Sequence, residues 1–443
     1  MRILPAVLGA SLLATSGASA IVPEIGELQV NTETAMMQRQ AAVACAPDGR
    51  FVIAWSSATS TGSDQSLDSI QAQRFDANGS PEGGQIQVNV HTTGTQWHPA
   101  VAIAANGDWV VAWESETAPS GGDASLASIR MRGFTAAGAE LFAERQVNDF
   151  TTGAQVRPAL AWVGSEIVAA WQSAFSPGDD ASLDSIQARR FSSTGAPLAA
   201  QFQVNTTTAG PQTAPAIAGW PGFGYVIAWS SDDDPGGGFL FRVRARRFNS
   251  TGPLSGELAV DLAPGNTGEP TVAMSSLGFF AVAWQSNGAD GDGIGILGRL
   301  FDSTGAALGP AFQVNDFPDN DQLAPAIAFL GTSIAVVWQS DGSPGPDVSS
   351  HSIQLRLFDG SAEAPAAQEQ VNVFGVNAQD SPALAFSHNR GRLVASWESN
   401  GSNGTDRSLF SIQATTYLST PPPGIFQDGF ESGNACRWSA GPC

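Results

Sequence analysis

The chain has 443 residues and a formal net charge of −21. A charge of that sign repels nucleic acid and anionic lipid. Beyond the N-terminus no run of about 18 apolar residues exists, so no membrane span is expected in the mature chain.

Residues 1–20 read as a secretory signal peptide. Arg2 is followed by an apolar stretch from Ile3 to Ala14 and by the small-residue site Ala18-Ser19-Ala20. The mature chain is expected to start at Ile21, in a secreted or cell-surface protein. It opens with a lone short strand, Leu28-Gln29-Val30-Asn31.

Seven similar segments follow. Trp55, Trp113, Trp171, Trp229, Trp284, Trp338 and Trp397 each close an apolar stretch such as Phe51-Val52-Ile53-Ala54. Their spacings are 58, 58, 58, 55, 54 and 59 residues, a period that marks a repeat architecture. A short segment, usually opened by proline, precedes each tryptophan, as in Pro99-Ala100-Val101-Ala102 and Pro158-Ala159-Leu160-Ala161. An alternating segment ending in an aromatic residue follows, as in Ser185-Ile186-Gln187-Ala188-Arg189-Arg190-Phe191. After a turn comes Gln-Val-Asn, at Gln87-Val88-Asn89 and at residues 146–148, 203–205, 313–315 and 370–372; one copy reads Ala259-Val260-Asp261.

Four strands per repeat and no helical period predict an all-β, seven-bladed propeller with four antiparallel strands per blade over residues 21–417. We label the strands a (Pro-Ala-Val-Ala), b (Trp), c (Arg-Phe) and d (Gln-Val-Asn). The last repeat has strand c, Ile412 to Tyr417, but no strand d, and the spare d-type strand stands at the N-terminus. The ring is therefore expected to close with the N-terminal strand on the seventh blade, removing two open edges. The tryptophans are expected to fill the gaps between blades. Cys45 lies in an apolar strand and reads as a buried free thiol.

Residues 418–443 form a proline-rich linker, with Pro421-Pro422-Pro423 as a stiff spacer, and a tail. Cys436 and Cys443 lie in that tail and would pair in an oxidising compartment.

In an antiparallel meander the long b→c and d→a loops share one end, where binding is expected. Oxygen-rich turns there make calcium a possible ligand, with Asp290, Asp292, Asp319 and Asp321 as candidate donors, against solvated Gly/Asp turns. Gln96, Gln155, Gln212, Gln322 and Gln379 stand three residues before the strand-a prolines, and Gln38 stands before Ala41. They would either bond turn backbone or meet a polar ligand at the channel mouth. Trp97 and His98 fall in a d→a loop, where the indole would stack on a sugar or pack over the loop.

The four histidines, His91, His98, His351 and His388, occupy unrelated repeat positions. Neither H-E-x-x-H, G-x-S-x-G nor a P-loop occurs. The reading is a secreted, non-catalytic binding or adhesion scaffold that presents its acidic long-loop face to an extracellular glycan or protein. The alternatives are a carbohydrate-active enzyme and a structural surface module without a dedicated ligand.

The unit running from Phe-Gln-Val-Asn through Gln-x-x-Pro-Ala and Val-Ala-Trp-Gln-Ser to Ser-Ile-Gln-Ala-Arg-Arg-Phe resembles repeats of bacterial secreted and cell-surface proteins. The resemblance covers roughly residues 26–417. It implies an exported repeat module, often part of adhesin-like or calcium-associated exoproteins. The tail Asp428-Gly429-Phe430-Glu431-Ser432-Gly433-Asn434 resembles a C-terminal segment of assorted bacterial exported proteins.

Overall fold

The computed structural model describes residues 20–420, apart from residues 61, 65, 118–122, 124–125, 176–177, 181–182, 233–239, 263–265, 343–344, 348, 365, 403 and 407–408. The segment before Ala20, read as a signal peptide, and Cys436 and Cys443, expected to pair, lie outside the described residues.

Seven antiparallel sheets follow one another, each in the order a-b-c-d. In blade 1 the strands are Gln38–Cys45, Phe51–Ser57, Ser69–Phe75 and Ile86–Gln87. Strand b is buried along its whole length. Both of its faces are therefore apolar, and neighbouring blades cover them. In blade 4 the outer strand is split into Gly252–Pro253 and Leu258–Ala259. The seven inner strands touch one another in a closed cycle.

Blade 7 consists of Gln379–Ser387, Arg392–Asn400, Phe410–Thr420 and, on the outside, Ala20–Gln29. The closing strand is longer than the Leu28–Asn31 segment read from the repeat. Its pairing runs from Ala20↔Thr420 to Gln29↔Gln413, so the last strand continues past Tyr417. The buried guanidinium of Arg392 reinforces this closure. It is fully buried and donates to both carboxylate oxygens of Glu24, at 2.6 and 2.7 Å, and to Gly49 O at 3.0 Å. The hydrogen bonds from Arg392 hold the Glu24 carboxyl below the usual range.

The core is divided among the seams between blades. Seven hydrophobic clusters each join two adjacent blades, and each contains one of the seven repeat tryptophans at 0% exposure. Cys45 carries a free, half-buried thiol whose pKa is raised by desolvation.

Candidate functional site

A repeated backbone device shapes the mouth of the central channel on the long-loop end. Gln40, His98, Arg157, Ala214, Glu269, Ala324 and Ser381 all have φ between 46° and 58°. Six of them precede proline, which disfavours the right-handed helical region for the residue before it. Each produces a register shift between strands a and b of its blade. Left-handed conformations are uncommon in non-glycine residues, and β-bulges re-aim side chains. Here all seven bulged residues line one cavity of about 490 Å³.

The side chains on this uniform ring are dissimilar. Arg157 reaches Glu269 from two blades away, with N–O distances of 2.8 and 2.9 Å. Nδ1 of His98 lies 2.9 Å from Oε1 of the buried Glu114. At Gln40, Arg157, Ala214 and Ser381 the backbone N–H of the bulged residue is taken up by the long side chain that follows the repeat tryptophan of the preceding blade, whereas His98 N donates to Gln40 Oε1. Gln40 N donates to Glu398 Oε1 at 2.6 Å and Ser381 N to Gln339 Oε1 at 3.2 Å. Glu398 is 7% exposed, and burial pushes its carboxyl up to about 7 against the opposing hydrogen bond from Gln40.

The glutamines proposed for a ligand do not line the mouth. Gln96, Gln155, Gln212, Gln322 and Gln379, with Gln38, are 0% exposed. Each places Oε1 3.0–3.1 Å from the indole Nε1 of its own blade: Trp113, Trp171, Trp229, Trp338, Trp397 and Trp55 respectively. A buried indole N–H requires an acceptor, and that requirement explains why glutamine recurs at the first residue of strand a.

The acidic candidates are likewise engaged within the fold. Asp290 Oδ2 accepts from Asn315 Nδ2 at 2.6 Å. Five other blades repeat this clip between a b→c aspartate and the Gln-Val-Asn asparagine, in the pairs Asp64–Asn89, Asp123–Asn148, Asp180–Asn205, Asp347–Asn372 and Asp406–Asn31. The asparagine also accepts a strand-c backbone N–H, such as that of Ile70. Asp321 accepts from Ile294 N at 2.9 Å, Asp292 from Asn320 N at 3.2 Å, and the backbone carbonyl of Asp319 accepts from Gln322. Among the described residues no group of three or more His, Cys, Asp or Glu side chains is placed to hold a metal ion.

Trp97 belongs to strand Gln96–Ile103 rather than to a loop. It is half-buried and stacks on His98 with ring centroids 5.3 Å apart. His98 lines the mouth and Trp97 does not.

Sequence reasoning missed the left-handed ring, which only the backbone reveals. It also missed a latch between blades that the repeat does spell out. In six blades Gln or Glu stands two residues before Gln-Val-Asn or its counterpart, with Ala311 in the remaining blade, and its carboxyl or amide oxygen accepts two consecutive backbone N–H groups of the preceding blade. Gln85, Glu144, Gln201, Glu257 and Gln368 do this in turn. Glu27 completes the series by accepting from Val373 and Phe374 at 2.6 and 2.9 Å.

No family model matches the chain, and no curated protein matches it in sequence. Solved structures do resemble it. A protein of unknown function from Dyadobacter fermentans superposes with a TM-score of 0.52 at 10% identity, over 90% of this chain and 99% of that one. An α-L-arabinanase from Penicillium chrysogenum, complexed with arabinobiose, gives 0.47 at 12% identity over 90% and 98%. A sialidase from Trypanosoma rangeli gives 0.42 at 9% identity over 91% and 60%. At 10% identity the first likeness shows the propeller fold alone, and the other two carry no argument about this chain.

Proposed function

We propose that the chain is a secreted or cell-surface binding scaffold that engages an extracellular glycan or protein at the long-loop end, centred on the channel mouth. The observation that carries this reading is the ring itself: one strained backbone conformation used seven times to present six different kinds of residue. Backbone strain persists where surrounding structure enforces it, and it clusters at ligand sites. The clips and latches hold the surrounding loops from beneath, which lowers the ordering cost of binding. At the mouth Arg157 pairs with Glu269, and Nδ1 of His98 lies 2.9 Å from the Glu114 carboxylate. That arrangement suits recognition of a polar surface better than acid–base chemistry.

The test is capture of glycans and peptides on arrays by the mature protein, repeated with His98→Ala and Arg157→Ala. Capture that falls with both substitutions supports the reading. Absence of capture, capture indifferent to both, or turnover of a captured ligand overturns it.

A further inference from the structure

The two ends of the channel differ in chemistry. The long-loop mouth carries Arg157 and Glu269. At the short-turn end a cavity of about 580 Å³ has no Asp, Glu, Lys or Arg in its walls. Blades 4 to 7 and blade 1 line it in succession, with Pro47, Trp220, Leu330, Phe386, His388 and Ser419 among the walls. Trp220 ends strand a of blade 4, at a position where no other blade has an aromatic residue. The His388 ring lies edge-on to Trp220 and to Phe386, with centroids 4.4 and 5.2 Å apart. Burial lowers the His388 pKa, so the ring is neutral. The trio bridges blades 7 and 4, yet Trp220 and Phe386 are only half-buried.

A second apolar notch, of about 140 Å³, adjoins this cavity at Gly331. Leu277, Phe279, Leu308 and Phe329 line it, and Leu277 and Leu308 are 55% and 51% exposed. Apolar surface continuous across two hollows marks a contact site. An ionic ligand would find no countercharge in the axial cavity.

Chain connectivity names the occupant. Strand Phe410–Thr420 delivers the chain to the rim of the cavity. Ser419 is itself a wall, and its N–H donates at 2.7 Å to the carbonyl of Gly391, another wall residue. Pro421-Pro422-Pro423 comes next, and three residues without N–H groups cannot extend a ladder. Ile425 and Phe426 then stand within about 20 Å of Thr420 at full extension, and Phe430 follows four residues later. A tether this short gives an effective concentration of about a millimolar, so a contact of only about 100 µM affinity would keep the site about nine-tenths filled. A free partner or a second copy has no such advantage.

We propose that the segment Ile425–Phe430 of the same chain folds back over the short-turn end, with Phe426 in the axial cavity against Trp220 and Phe386 and Phe430 in the notch beside Leu277. The buried rings supply the binding energy, since each phenylalanine carries a large apolar area. The tail then caps one end of the channel and leaves the long-loop mouth open. The proposal is independent of what binds at that mouth.

The experiment uses the full mature chain with Phe426 replaced by the photoreactive p-benzoyl-phenylalanine, and crosslinked peptides are mapped by mass spectrometry. Crosslinks within one chain to the peptides holding Trp220 or Phe386 are expected. A second measurement follows protease cleavage after Glu431, whose rate tracks the fraction of undocked tail. Cleavage should be about tenfold faster in Phe426→Ala and in Leu277→Ser than in wild type. Both substitutions leave the seven seams untouched, so the circular dichroism spectrum should match wild type. Crosslinks between two chains, crosslinks only to other parts of the ring, or cleavage at the same rate in all three proteins overturns the proposal. Ligand capture at the long-loop mouth should be the same in Phe426→Ala and wild type, so failure of either reading leaves the other intact.

Discussion

The blade 3–4 and blade 4–5 seams show what regularity does in this ring. At the first, Gln212 accepts from Trp229, Gln172 reaches Ala214 N at 3.4 Å, and Glu257 accepts from Thr206 and Thr207. At the second, the corresponding positions hold Thr267, Ser230 and Ala311. The apolar part is conserved across both: Trp229 and Trp284 sit at 0% exposure in equivalent clusters. Arg299 still donates to Val260 O at 2.9 Å, as Arg246 does to Val204 O at 2.8 Å. The comparison separates two layers of the design. Apolar burial, non-directional and proportional to area, holds the ring together at every seam. The polar layer is dispensable at one seam, and a cavity lies where it is missing.

The strongest break of this comparison is at the blade 7–1 seam, where closure depends on a segment remote in sequence. Removing residues 21–32 takes away the outer strand of blade 7, the Glu27 latch and the partner of the buried Arg392. Leaving a buried charge unpaired costs about 3–5 kcal/mol before any lost packing is counted. The thermal midpoint of the truncated protein should fall steeply or the transition lose its cooperativity. An unchanged midpoint would mean that the ring holds without its closing strand.

A smaller effect separates Glu398 from its neutral counterparts. Gln172 and Gln339 take up the N–H of a bulged residue without charge, whereas Glu398 does so with a carboxyl whose pKa is raised to about 7. A carboxyl with a raised folded-state pKa binds more protons folded than unfolded between the ordinary value of 4.5 and about 7. Stability must therefore fall as pH rises through that window. The full difference is on the order of 3 kcal/mol. Glu398→Gln should keep the hydrogen bond and remove this dependence, so that the variant is the more stable protein at pH 8 and nearly equal to wild type at pH 4. Parallel denaturation curves for the two proteins across that range would refute the assignment.

The scaffold was legible in the sequence because its signals are local and repeated. Seven tryptophans at near-constant spacing define the blades, and a missing strand at one end matched by a spare at the other gives the closure. The site was less legible for two reasons. Of the two readings of Gln96 and its counterparts, the bond to turn backbone is present, as from Gln96 Nε2 to Thr93 O at 3.1 Å, whereas the buried indole N–H that each also answers carried no sequence signal of its own. Asp290 stands in a loop rich in oxygen, and its hydrogen-bond partner Asn315 was not legible because it is 25 residues away and becomes adjacent only when strands c and d pair. The left-handed ring leaves only a prolyl trace in sequence, since a residue before proline is more often extended. The departures at Thr267, Ser230 and Ala311 were visible individually, but their convergence on one seam appears only in three dimensions.

The smallest predicted effect tests whether the latch is a stabilising layer or only an accompaniment of packing. Gln368 accepts from Asp316 N and Phe317 N at 2.7 and 3.0 Å in a partly exposed setting. A net intramolecular hydrogen bond contributes about 0.5–1.5 kcal/mol, and solvent replaces much of it where the groups are exposed. Gln368→Ala should therefore cost no more than about 1 kcal/mol. Ala311→Gln restores the repeat residue at the blade 4–5 seam, where the amide oxygen would accept from Leu262 N–H, and should gain up to about the same amount. Urea titrations of the two single variants resolve these shifts. A loss without the matching gain would mean that the backbone at the irregular seam has moved out of latch range and that its cavity is fixed by more than missing side chains. Equal and opposite shifts would mean that the seam keeps the regular backbone and has lost only its side-chain acceptors.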